Sequence, residues 1–170
     1  MNLAMQMEWV ARAALIGIGA TLTMDLWAIF LKRAFGVLSL DYGMLGRWLG
    51  HLPSGRLVHE SIARAAPVRG ERILGWSAHY LIGVTFAALL LSIWGLEWAR
   101  APSLAPALFV GIVTIVAPFF VLQPGMGAGM AASKTPKPNV ARLKSLGAHS
   151  VYGFGLYGAA LLVAALLPAR

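Results

Sequence analysis

The 170-residue chain contains no cysteine. That absence removes disulfide frameworks, thiolate metal sites, iron–sulfur clusters and a thiol nucleophile together, and it leaves the redox compartment unread. Charge is scarce too, with 12% of residues charged, about half the share of a soluble domain. Catalytic signatures are also missing. Ser54, Ser61 and Ser133 lack the setting of a nucleophile elbow, and no His-Glu-x-x-His occurs. A phosphate-binding loop at Lys134 would need glycines where Ser133 and Ala128 stand, and no strand precedes it. Alternating segments of about ten residues, the mark of a membrane barrel, are absent as well.

What is present is apolar: 59% of residues are hydrophobic and the mean hydropathy is +0.74. A core of this size cannot hide so much apolar surface, so part of the outside must itself be apolar. Four runs, roughly 11–31, 73–96, 103–122 and 146–167, are long enough to cross about 30 Å of hydrocarbon at about 1.5 Å per residue. The expectation is an all-α membrane protein, a four transmembrane helix bundle forming a single domain over 1–170.

Basic residues set the orientation. Lys32, Arg33, Arg47, Arg56, Arg64, Arg69 and Arg72 follow the first run, and Lys134, Lys137, Arg142 and Lys144 precede the fourth. Only Arg12, Arg100 and Arg170 fall on the other side. The positive-inside rule assigns the eleven to the cytoplasm, so both termini are expected in the periplasm. The net charge of +8 then reflects topology and attraction to anionic lipid, not nucleic acid. Glu8 and then Arg12 precede the first run and Lys32-Arg33 follow it, the pattern of an N-out anchor and not of a cleaved signal. Trp9, Trp94 and Trp98 are expected near the outer boundary, with Trp27 and Trp76 towards the inner one.

The first cytoplasmic connection has two apolar periodicities. Met44, Leu45, Trp48, Leu49 and Leu52 share one face of a short interfacial amphipathic helix. Val58, Ile62 and Ala65 predict a second over 56–66, after a break at Pro53-Ser54-Gly55. The glycine-rich stretch 123–144 reads as a bent helix end and a turn.

Small and polar residues recur at helical spacing inside the spans. Gly17, Gly83, Gly111 and Gly153 are expected to allow close helix packing. Asp25, His79 and His149 sit about 5–10 Å below the cytoplasmic surface by residue rise, and Gln123 ends the third span nearby. Three readings of this polar layer stay open. The first is a structural or binding network in which Asp25 fixes a histidine tautomer. In the second, His79, His149 and Asp25 ligate a metal ion, or the histidines hold a haem, with His59, Glu60 and Gln123 in support. The third is a proton or solute relay, which in a chain this short calls for a homo-oligomer.

The order of several motifs completes the reading. They are Met24-Asp25-Leu26-Trp27, Asp41 through Trp48, His59-Glu60-Ser61, Gly75 through Tyr80, Ala117 through Gly125, and His149 through Gly153. Over essentially its whole length the chain resembles the bacterial membrane-protein family catalogued as domain of unknown function 2938. The resemblance implies a bacterial inner-membrane protein and lends no activity, cofactor or catalytic residue.

Overall fold

The computed structural model describes residues 2–167; Arg170 lies outside them. Helix α1 runs Leu3–Phe35, started by Asn2, whose Oδ1 accepts from the Met5 N–H at 2.9 Å. It is stopped at Gly36, which takes the left-handed conformation (φ 65°) that glycine adopts at least expense. Helix α2, Tyr42–His51, is capped by Asp41. Helix α3 runs Glu71–Arg100 with a break at Gly95 (φ 75°), and α4 covers Leu104–Val113. Pro118 opens a wide turn through Leu122, in which the Gln123 N–H donates to the Pro118 carbonyl five residues back. Short α5, Gln123–Gly125, ends this run, and α6 covers Pro138–Leu166. Among the described residues there is no strand.

Four stretches, Leu3–Phe35, Glu71–Arg100, Leu104–Gly125 and Pro138–Leu166, are long and apolar enough to cross a membrane. They contain nearly all of the four expected runs, and helices α1, α3 and α6 extend well beyond the predicted ends. The third is not one regular helix. Proline has no N–H and its ring crowds the carbonyl four residues back, so Pro118 and Pro124 force the irregular turn.

One expected element does not form. Over 56–66 the only helical turn is Ile62–Arg64. The His59 and Ile62 N–H groups donate instead to the Gly125 and Met126 carbonyls, at 2.9 and 3.0 Å. The predicted shared face also fails, because Val58 is 71% exposed and Ile62 only 4%.

The chain forms two compact units. Unit 1 comprises Met1–Val37, Tyr80–Val113 and Ala148–Arg170. Its helical segments pack around one core that includes Ala13, Ile16, Ala20, Ala87, Leu90, Ala107, Leu156 and Ala160. Six alanines share this interior with Ile16, Leu90, Leu91, Leu156, Trp98 and Tyr152, while Leu22, Leu26, Leu81, Ile93, Phe109, Phe154 and Leu162 are exposed. Trp98 is 6% exposed near the end of α3, and its indole N–H donates to the Ser103 carbonyl at 3.1 Å.

Unit 2 comprises Leu38–His79 and Thr114–Gly147. Gly46 of α2 lies against the Glu71 carbonyl and Gly75 against the Tyr42 carbonyl, so the two helix backbones touch where neither position can carry a Cβ. Gly125 packs on the Trp48 indole, and Gly127 on the backbone of His59 and Glu60.

Candidate functional site

Of the residues singled out from sequence, Asp25, His149 and the four glycines belong to unit 1. Asp25, 7% exposed, accepts a hydrogen bond from the Tyr80 hydroxyl at 3.0 Å. His149 Nδ1 meets the Gly111 carbonyl at 3.1 Å, so that nitrogen carries the proton. The Tyr152 hydroxyl donates to the Gly83 carbonyl at 2.6 Å, and the Thr21 hydroxyl to the Gly17 carbonyl at 2.8 Å. A Cβ on Gly17 would fall 2.5 Å from Val84 Cα, and one on Gly111 2.6 Å from Gly153 Cα. The glycine faces therefore meet in pairs, Gly17 with the backbone at 83–84 and Gly111 with that at 153.

His79, His59, Glu60 and Gln123 belong to unit 2. The His79 ring stacks on Tyr42 (centroids 3.9 Å, interplanar 23°) and meets Trp76 edge-on. His59 Nδ1 approaches the Gly125 carbonyl at 3.3 Å, beside the main-chain bond already noted. A carbonyl can only accept, so Nδ1 holds a proton, and in the neutral ring Nε2 presents the lone pair; Nε2 is buried and has no hydrogen-bond partner within the protein. Gln123 Nε2 donates to Ser145 Oγ at 3.4 Å, while its Oε1 is also buried without a partner. His51 donates from Nε2 to the Ala66 carbonyl at 2.9 Å and sets its ring edge-on to His59 at 5.0 Å. Glu60 keeps an exposed side chain and contributes its backbone to the Gly127 contact.

Among the described residues, no three histidine or carboxylate side chains gather closely enough to hold a metal ion. A family model described as "Protein of unknown function (DUF2938)" matches residues 14–163. The chain belongs to this family. No curated protein and no solved structure matches it. The stretch matched to DUF2938 contains Asp25, His59, His79, Gln123, His149 and all four packing glycines.

Two charge clusters of this DUF2938 protein are not marked as such by the sequence pattern. Arg12, which the charge pattern places on the side opposite the eleven basic residues, is 1% exposed. It bonds Glu8 at 2.8 Å, the Ala99 carbonyl at 3.2 Å and the Leu167 carbonyl, thereby closing the ends of two helices. Arg100 reaches the same Glu8 carboxylate at 2.7 Å. Glu8 and Arg12 stand four residues apart on α1, and that spacing is the one signal that a helical pair exists. In unit 2, Arg47 makes two 2.8 Å bonds to the Glu71 carboxylate and three of 3.3 Å to the Ile62, Ala63 and Ala65 carbonyls. The Glu71 carboxylate raises the Arg47 pKa above its ordinary value, chiefly through those hydrogen bonds. One guanidinium thus fixes the loop that carries His59.

Chemically, the unit 1 groups close on neighbouring hydroxyls and carbonyls and stiffen the packing. Unit 2 instead presents two buried polar atoms without partners, an imidazole nitrogen and an amide oxygen, on segments joined at Gly125. Acceptors of this kind bind a donor.

Proposed function

We propose that this DUF2938 protein spans the bacterial inner membrane four times, with both termini in the periplasm and the basic connections in the cytoplasm. It binds a small neutral hydrogen-bond donor, a hydroxyl or amide compound, beside the turn at 123–126. The membrane reading is supported by the outside of unit 1, where Leu22, Leu26, Leu81, Ile93, Phe109, Phe154 and Leu162 are exposed while Arg12, Thr21 and Asp25 are buried. Water would disfavour that arrangement and a bilayer favours it.

The binding reading is carried by the pair of unpartnered acceptors, His59 Nε2 and Gln123 Oε1. A buried acceptor left without a donor costs about 1–3 kcal/mol, so two of them in one small unit call for a donor to fill the place. Charge selects a neutral one. Unit 2 has nine basic and three acidic residues, a surplus that disfavours a cation. Asp25 and His149 serve this reading as packing groups.

Native mass spectrometry of protein extracted in mild detergent tests it. The wild type is expected to retain one small adduct that is lost in both His59→Phe and Gln123→Met, each of which melts lower than the wild type. A wild type without an adduct, with both variants melting higher because an unpaired acceptor has been removed, overturns it.

A further inference from the structure

The segment Thr114–Gly147 of unit 2 carries Lys134, Lys137, Arg142 and Lys144 and no acidic residue. Within it a shallow groove is lined by Thr135, Pro136, Lys137, Val140, Ala141 and Lys144. Lys137 immediately precedes α6, its carbonyl accepting from the Ala141 N–H at 3.1 Å, and Val140, Ala141 and Lys144 follow in the first two turns at i+3, i+4 and i+7, so an apolar strip lies between two lysines. Both lysines and Val140 are exposed. Arg142 is occupied elsewhere, donating to the Ala131 carbonyl at 2.9 Å and to Asn139 Oδ1 at 3.0 Å. The first turn of α6 has no acidic residue to compete for those cations, whereas α3 begins with Glu71.

We propose that this groove is a binding site for one anionic phospholipid, with the phosphate between Lys137 and Lys144 and the start of an acyl chain along Val140 and Ala141. A cation pair alone would take any anion. The exposed aliphatic strip between the lysines adds what an inorganic anion cannot use and a lipid can. The position suits the ligand, because α6 is one of the stretches apolar enough to cross a membrane and the groove lies at its first two turns. The proposal rests on the membrane reading above and is independent of the donor site at His59 and Gln123.

The full-length protein in mild detergent is titrated with phosphatidylglycerol and, separately, with phosphatidylcholine, and bound lipids are counted by native mass spectrometry. One phosphatidylglycerol is expected to bind in preference to phosphatidylcholine. Lys137→Gln with Lys144→Gln is expected to weaken it about thirty-fold, about fivefold for each lysine near an anionic headgroup. Lys137→Arg with Lys144→Arg is expected to retain it, and Lys134→Gln, outside the groove, to change it less than about twofold. Equal affinity for the two lipids, an unchanged double glutamine variant, or an equal loss on Lys134→Gln overturns the site. Displacement by millimolar inorganic phosphate also overturns it, because the groove would then recognise the anion and not the lipid. Alkaline carbonate washing of cell membranes, in which a spanning protein stays in the pellet, reports on the membrane reading separately.

Discussion

In unit 1, glycine and alanine faces bring helix backbones together around an apolar core, and polar groups close on nearby carbonyls. Unit 2 has few buried apolar side chains, among them Leu45, Ile62 and Met126, and it is held by main-chain bonds between 59–62 and 125–126 and by the guanidinium of Arg47. Close packing fixes geometry through contact. Polar tethering fixes a backbone while leaving acceptors uncovered, and a binding site requires that. On the function proposed above, the first unit supplies structure and the second recognition.

The largest blow to that contrast would come from Arg12. Its guanidinium is buried and serves two helix ends, so Arg12→Met is expected to destabilise the protein by about 3 kcal/mol, measured as thermal unfolding in detergent. A variant that melts with the wild type would show that the helix ends need no charge to close them. Next come the glycines. Gly111→Ala places a methyl group against the Gly153 backbone and is expected to cost about 1–3 kcal/mol. Gly158→Ala, with nothing near it, is expected to stabilise by about 0.5–1 kcal/mol. Opposite signs for one chemical change would establish that contact, not helix propensity, governs unit 1. The smallest global effect is expected in unit 2. Arg47→Lys loses the paired bonds to Glu71 and the three carbonyl contacts. Amide hydrogen exchange should then quicken at 59–65 and stay unchanged in the core of unit 1. Quickening throughout would mean that the two units open together.

The sequence already shows much of the fold, because helices of this composition declare themselves by length and hydropathy. Helix α2 is legible too, from the spacing of Met44, Leu45, Trp48 and Leu49 and from Asp41 as its cap. The missing helix at 56–66 is the instructive failure. Its periodicity is real, but its amides are taken by carbonyls more than sixty residues away, and local pattern is blind to such partners. The partners of Arg12 are hidden for a related reason: the carbonyls of Ala99 and Leu167 lie far from it in sequence.

The candidate residues were legible as types, and part of their hydrogen bonding was not. Depth along a helix groups Asp25, His79 and His149, and it does not announce that Asp25 accepts from Tyr80, that His149 meets the Gly111 carbonyl or that His79 stacks on Tyr42. Residue rise gives height and says nothing of which hydroxyl or carbonyl stands opposite. The unpartnered atoms of His59 and Gln123 arise from tertiary folding around Gly125, so no spacing rule could reveal them.

The absence of cysteine makes the topology directly measurable, since an introduced thiol is the only one in the chain. Val58→Cys in the first basic connection and Ser103→Cys in the short turn between α3 and α4 both place it at exposed positions. A membrane-impermeant maleimide applied to intact spheroplasts is expected to label Ser103→Cys and spare Val58→Cys, and in inverted membrane vesicles the pattern should reverse. Labelling of both positions from the same side would contradict the account.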